Sequence, residues 1–465
     1  MALSEFYMQN TGSNLNAGST NADAASITET NGSWDITSNT FIATAGLPFA
    51  AVNVGDWVSI YNDGASATPF VAQVTVINDL GLSITVSATV KFGTKPAAGA
   101  TGKSCKVGGA WASLGMLASG VALNTGTTPV SFRCNIKAGT YANSTTNRTF
   151  GVAGTTLLPV WYRGYKTAIG DMDAVPTTTR VDATDIPHLT WGNGIVTLGA
   201  AHNYFTSMSI LTARAGGTGC VISGNQNRLR RVRVENTSSN AGSTNCYTSG
   251  NGFAAFECWF KAHTSSLASV NIGSASGGLY SCVVRGGKTG IEITNSCTIA
   301  GNTIISTGSD GIGMSVSAAV QIVGNTFYSI GRDGIRWTTL PSSNFHTIAN
   351  NVFSLCGGYN LKNNSGADTN FISRVNNCSY SPTSGHASGF GDSQEFGLQT
   401  DGSQTVTSAT DMTPVSGSNA NNNALPGGLF ENEAFSNFGA IGAVQPEAAG
   451  GGGAGPLIGG RLVAC

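Results

Sequence analysis

Acidic side chains are scarce in this sequence, so the few that recur in matching contexts are the first place to look for chemistry. Asp310 and Asp333 stand in the matched strings SDGI and RDGI, 23 residues apart. If that interval is one turn of a repeating coil, the two carboxylates fall about 5 Å apart, one strand spacing. That separation suits the acid and nucleophile of a retaining glycosidase. Lys288 takes the same place one repeat earlier, and Glu292, Arg332 and Arg336 are close by. The same letters also have a structural reading, because Asp-Gly is a tight-turn dipeptide between strands. Trp259, Tyr328 and Trp337 fall at outward-type positions, where a ring can stack on a sugar beside Arg332 and Arg336.

Other constellations are weaker. Asp171, Asp173, Asp182 and Asp185 offer oxygen ligands of the kind Ca²⁺ takes, but without an EF-hand or nonapeptide spacing, so they also read as loop acids and no cofactor is expected. The five histidines are scattered, and no HExxH pair, P-loop, Rossmann fingerprint or Gly-x-Ser-x-Gly elbow occurs. Arg228, Arg230, Arg231 and Arg233 form a basic run, but Arg231 and Arg233 alternate with Val232 and Val234 and sit beside Glu235. They read as the solvent face of a strand or a subunit contact. A net charge of −1 argues against a nucleic-acid groove.

The elements that hold these residues are set by a repeat. The segments TSMSILT, RRVRVEN, FECWFKA, YSCVVRG, AGNTIIS, VGNTFYS and ANNVFSL share two inward-type positions two residues apart: Met208/Ile210, Val232/Val234, Cys258/Phe260, Cys282/Val284, Asn302/Ile304, Asn325/Phe327 and Asn351/Phe353. A weaker copy lies at Asn377. A second series runs in phase, led by Cys220, Cys246, Val270, Ile291, Ile312, Ile335 and Tyr359. Two short strands thus recur every 20 to 26 residues. Strands this short are stable only if each coil pairs with the next at about 4.8 Å, building one interior column. Asn302, Asn325 and Asn351 at one position predict a buried ladder of side-chain hydrogen bonds. The expected fold class is all-β, a right-handed parallel β-helix with a small antiparallel β module near the N-terminus.

The coils IAGNTIISTGSDGIGM and IVGNTFYSIGRDGIRW resemble the repeats of the pectin-lyase-like superfamily, which includes polysaccharide lyases, glycosidases and phage tail spikes. NIKAGTYAN (135–143), LPVWYRGYKTAIGD (158–171) and FGAIGAVQPEA (438–448) look like the opening and closing signatures of such proteins. The resemblance implies a β-helix that commonly assembles as a trimer. The metal and Asp-Asp motifs of pectate lyases and polygalacturonases are not recognisable here.

Around the repeat, residues 1–30 read as an N-terminal arm and 31–107 as the antiparallel module, placed just before the first coil. Residues 108–380 read as the helix, with 108–122 as a short capping α-helix. Residues 381–465 read as a Gly/Asn-rich packing segment that must lie against its own coils or another subunit if it is ordered. Ten cysteines form no CxxC pair and read as reduced, buried thiols. No secretory signal and no apolar run long enough for a membrane span is read.

Three functions fit these readings. The first is a structural or adhesive phage virion protein (tail spike, fibre or capsid decoration), a homo-oligomer, with a trimer favoured, that meets other virion proteins and a surface glycan and is released by lysis. The second is a polysaccharide depolymerase using Asp310 and Asp333. The third is a bacterial surface adhesin or filament subunit.

Overall fold

A computed structural model describes residues 4–13, 16–17, 19–22, 24–62, 69–92, 95–111, 132–143, 147–172, 185–316, 318–339, 345–365, 372–390 and 398–400. The chain divides into two compact units, one of residues 1–191 and 196–209, the other of 192–195 and 210–465.

In the first unit, Ser4–Met8 pairs in parallel with Phe132–Lys137, which pairs with Val160–Tyr165. The expected arm therefore begins as a strand of the first coil, and the antiparallel module is inserted after that strand rather than before the helix. The module has six strands and is a closed barrel over Ile27–Val107. Gly99–Val107 pairs antiparallel with both Ile27–Asp35 and Trp57–Asn62, so no strand edge is left open. Trp34, Phe41, Phe49, Phe70 and Ile84 fill its core. Phe6 stacks on Trp111 at 5.0 Å and meets Trp57 edge-on at 4.9 Å, which packs the first strand against the barrel. Gly164, in the WYRGY signature, is required by close approach: a Cβ there would lie 1.8 Å from the Ser207 carbonyl oxygen. Residues 108–111 of the expected capping helix are not helical, and Trp111 bridges in parallel to Met8; 112–122 lie outside the described residues.

The second unit is the all-β parallel β-helix expected from the repeat, with three strands per coil instead of two. Face 1 comprises Gly277–Tyr280, Cys297–Ala300, Val320–Val323, His346–Ala349 and Ile372–Val375, each parallel to the next. Face 2 comprises Trp259–Ala262, Val283–Arg285, Thr303–Ile305, Thr326–Ile330, Val352–Cys356 and Cys378–Tyr380. The upstream strand Arg228–Asn236 is long enough to serve both, pairing with Ala254–Phe256 and then Trp259–Ala262. Face 3 runs from Gly217–Ile222 through Ser243–Thr248, Ala268–Ile272, Thr289–Ile293, Ile312–Ser315, Ile335–Thr339 and Tyr359–Asn363 to Gly385–Ser388. Leu279, Ile299, Ile322 and Ile348 are the buried positions of face 1 that the two-strand reading passed over. On face 3, Ile335 pairs with Leu361, so Leu361 and not Tyr359 continues the interior column.

The bend between faces 1 and 2 is made by one residue in the left-handed region in each coil. Arg231, Glu257, Ser281, Gly301, Gly324, Asn350 and Asn376 all have φ between 51° and 65°. The very next residue supplies the ladder. The backbone N–H of Cys282 donates to Asn302 Oδ1 at 2.8 Å, that of Asn302 to Asn325 Oδ1 at 2.8 Å, that of Asn325 to Asn351 Oδ1 at 2.9 Å, and that of Asn351 to Asn377 Oδ1 at 2.9 Å. Each Nδ2 donates in turn to a face 1 carbonyl, as Asn325 does to Ile299 at 2.8 Å. These buried amides satisfy main-chain groups that the tight bend would otherwise leave without partners.

Candidate functional site

The Asp310–Asp333 region lies at the turn entering face 3. Both carboxylates are buried, with side-chain exposures of 7% and 5%. Asp310 Oδ1 accepts the backbone N–H of Asp333 at 3.4 Å, and Asp333 Oδ1 accepts that of Tyr359 at 2.9 Å. Each aspartate therefore caps the equivalent residue of the next coil, a second ladder built from acids. Arg332 closes over the pair: its Nε and Nη2 reach Asp310 Oδ1 and Oδ2 at 2.9 and 2.5 Å, and its Nε lies 3.6 Å from Asp333 Oδ2. Donating to the Asp310 carboxylate holds the Arg332 guanidinium above its ordinary pKa. Arg336 Nη1 lies 3.9 Å from Asp333 Oδ2 and, with the Asn364 amide turned to offer its oxygen, Arg336 Nε donates to it at 3.0 Å. The turn reading of Asp-Gly is what the geometry expresses. Counting back from the paired Ile291 and Ile312, Thr289 and not Lys288 is the counterpart of Asp310.

Glu292 stands apart from this saturated group. It faces outward on face 3, half-buried, with no hydrogen bond or ion pair among the described residues. Its carboxylate lies over Gly313 of the next coil, where a Cβ would come within 2.6 Å of Oε2. Burial first, and then the charge of Asp310, raise its carboxyl above the ordinary value of 4.5.

The aromatic candidates divide. Trp337 is fully buried, its indole N–H donating to His346 Nδ1 at 3.0 Å, so the outward assignment is corrected. The alternation itself explains this, since Trp337 is two residues from inward Ile335. Trp259 and Tyr328 face outward and are half-buried on face 2. The Arg233 guanidinium sits 4.6 Å from the centre of a Trp259 ring. The basic run is largely neutralised from within the coils. Arg231 pairs with Glu257 of the next coil, Arg233 pairs with Glu235, and Arg228 donates to the Gly252 carbonyl. Arg231 sits at the left-handed bend, not on a flat strand. Lys261 also reaches Glu235, at 2.7 Å.

Of the four aspartates considered for Ca²⁺, Asp173 and Asp182 lie outside the described residues. Asp171 accepts three backbone N–H groups, from Lys166, Thr167 and Ala168, at 2.9, 2.6 and 2.9 Å. Burial alone would raise its carboxyl, but those three bonds and Lys166 take it below the ordinary range. Asp185 pairs with Lys166 Nζ at 2.6 Å. Among the described residues no three His, Cys, Asp or Glu side chains come together as a metal cluster.

One group escaped the sequence reading. On the outer side of face 1, Phe256 and Tyr280 are in register and stacked, their centroids 5.0 Å apart. The signal was present, because AAFEC and GLYSC place an aromatic two residues before each ladder cysteine. It was lost with the unrecognised third strand.

No protein-family model matches the chain, and no curated protein matches it. Among solved structures, the chain is similar to pectate lyase Pel9A at 14% identity, covering 69% of this chain and 89% of that one with a TM-score of 0.45. It is similar to XylC, solved with xylose, at 8% identity over 87% of each chain, TM-score 0.43. It is similar to the tailspike protein gp49 of Pseudomonas phage LKA1 at 11% identity, covering 85% of this chain and 66% of that one, TM-score 0.18. The fold assignment rests on the strand register described above.

Proposed function

We propose that this chain is a structural and adhesive β-helix of a phage virion, a tail spike, fibre or capsid-decorating protein that carries its copies and their neighbours in an assembly and meets a host-surface glycan. The observation that supports it most is the state of Asp310 and Asp333. Their oxygens are committed to next-coil N–H groups and to Arg332, which makes them parts of the scaffold and poor proton donors or nucleophiles. A bacterial surface adhesin would use the same scaffold in the same way. One observation favours the depolymerase reading: Glu292 is an unpaired, half-buried carboxyl with a raised pKa, the condition of a general acid.

The test is light scattering and negative-stain imaging of the purified chain, with a screen for sugar release from polysaccharides. A stable trimer or larger assembly with no release is the expected result. A monomer that cleaves a polysaccharide, losing that activity in Glu292→Gln or Asp333→Asn while keeping its fold, would overturn it.

A further inference from the structure

Arg230, Phe256 and Tyr280 occupy one outward column on three successive coils. Arg230 pairs in register with Phe256, and Phe256 with Tyr280. Tyr280 covers one side of Phe256, its ring nearly parallel at 13°. The other side of Phe256 is turned toward the coil of Arg230. The Arg230 side chain is exposed and has no hydrogen bond or ion pair among the described residues, whereas Arg228, Arg231 and Arg233 beside it all do. Tyr280 is held in place. Its ring lies against Gly278, where a Cβ would come within 2.5 Å of it. The platform is therefore fixed before anything binds, which lowers the cost of ordering it.

Stacked rings alone are a common cover for the outside of a sheet. The unpaired guanidinium in register with them is what points to a ligand. We infer that Arg230, Phe256 and Tyr280 form a subsite for an anionic polysaccharide. A pyranose ring lies with its C–H face on Phe256 and its carboxylate meets the Arg230 guanidinium, which presents two parallel N–H donors to such a group. This rests on the attachment reading and names its ligand class. Single-stranded nucleic acid also uses rings and arginines, but it needs cations along its phosphates, and three of the four arginines here are already engaged.

The experiment is calorimetric titration of the full chain with polygalacturonate, neutral dextran and an oligo(dT), at about 0.15 M salt, alongside Arg230→Gln, Phe256→Ala, Phe256→Tyr and the face 3 control Lys362→Gln. Polygalacturonate is expected to bind and dextran not to. Arg230→Gln and Phe256→Ala each weaken binding about tenfold with the unfolding midpoint unchanged. Phe256→Tyr, which keeps a ring, weakens binding less than Phe256→Ala, and Lys362→Gln binds as the parent does. Dextran binding as well as polygalacturonate, oligo(dT) binding more tightly, or equal loss in Lys362→Gln would each overturn the inference. Polygalacturonate binding that ignores Arg230 and Phe256 would remove the subsite and leave the attachment reading standing. Absence of all binding would also remove it, while the assembly measurement judges the structural role separately.

Discussion

The Asp333 carboxylate accepts the backbone N–H of Tyr359 at 2.9 Å, one coil further on, in the same way that Asp310 receives the N–H of Asp333. An acid at this turn is thus a fastener between coils. Asp333→Ala leaves the half-buried Tyr359 N–H without its acceptor and removes one of the partners of Arg332 and of Arg336. It is expected to lower unfolding stability by about 1–3 kcal/mol. Asp333→Asn retains an oxygen acceptor and is expected to cost less. Urea denaturation of the pair checks this, and equal losses would contradict the fastener role.

The asparagine ladder makes a sharper case. Asn325 accepts from the Asn302 backbone and donates to Ile299 and Asn351. Asn325→Ala takes the acceptor from the Asn302 N–H and a donor from the Ile299 carbonyl on one neighbouring coil, and a donor from Asn351 on the other, and is expected to cost about 2–5 kcal/mol. Asn325→Asp keeps the acceptor but buries a charge and loses the donor, so it is expected to be less damaging at low pH than at neutral pH. Thermal unfolding at two pH values reads this directly.

Glu292 and His346 set opposite pH dependences. The raised carboxyl of Glu292 means that the unfolded chain releases its proton first, so stability falls as pH rises from about 4.5 through the raised folded value. Glu292→Gln is expected to match the parent near the acid end of that window and to be more stable at neutral pH.

His346 is held below 6.5 by burial, even though its Nε2 bonds to the Ala318 carbonyl. Its contribution is present above about 6.5 and is lost as pH falls toward the lowered folded value. His346→Gln is expected to flatten that acid limb. Denaturation midpoints across pH 4–8, about the range of these two groups, separate the two effects; a variant with the parent's pH profile would contradict its assignment.

All nine described cysteines are buried thiols outside any disulfide, and Cys134, Cys258 and Cys356 among others are raised well above their ordinary pKa by burial. Iodoacetamide at mildly alkaline pH is expected to leave all nine unmodified in the folded protein and to label them after denaturation. Mass spectrometry of peptides gives the answer residue by residue. Native labelling of Cys258 or Cys282 would show that the coil interior opens.

Much of the architecture was legible because a solenoid writes its contacts into its period. Residues 20 to 26 apart touch, so Val234, Phe260, Val284, Ile304, Phe327 and Phe353 could be aligned by eye as one buried column. The third strand was not legible. Its face 1 positions Leu279, Ile299, Ile322 and Ile348 are separated from the next inward residue by a bend whose left-handed residue is Ser, Gly or Asn, and the bend hides the change of direction. Trp337 was misplaced for a related reason: size and polarity suggested a ligand platform, while the alternation starting at Ile335 already sent it inward to His346.

The sequence by itself determined the coil, its period, the asparagine column and the buried thiols, because each follows from local alternation repeated at a fixed interval. Tertiary structure alone decided what the polar residues do. Whether Asp310 is a catalyst or a clasp depends on which N–H and which guanidinium lie one coil away. Whether Arg230 is free depends on Glu257 and Glu235 having taken its neighbours. Such partnerships are fixed by side-chain reach between coils, a distance of a few ångströms that no one-dimensional spacing records.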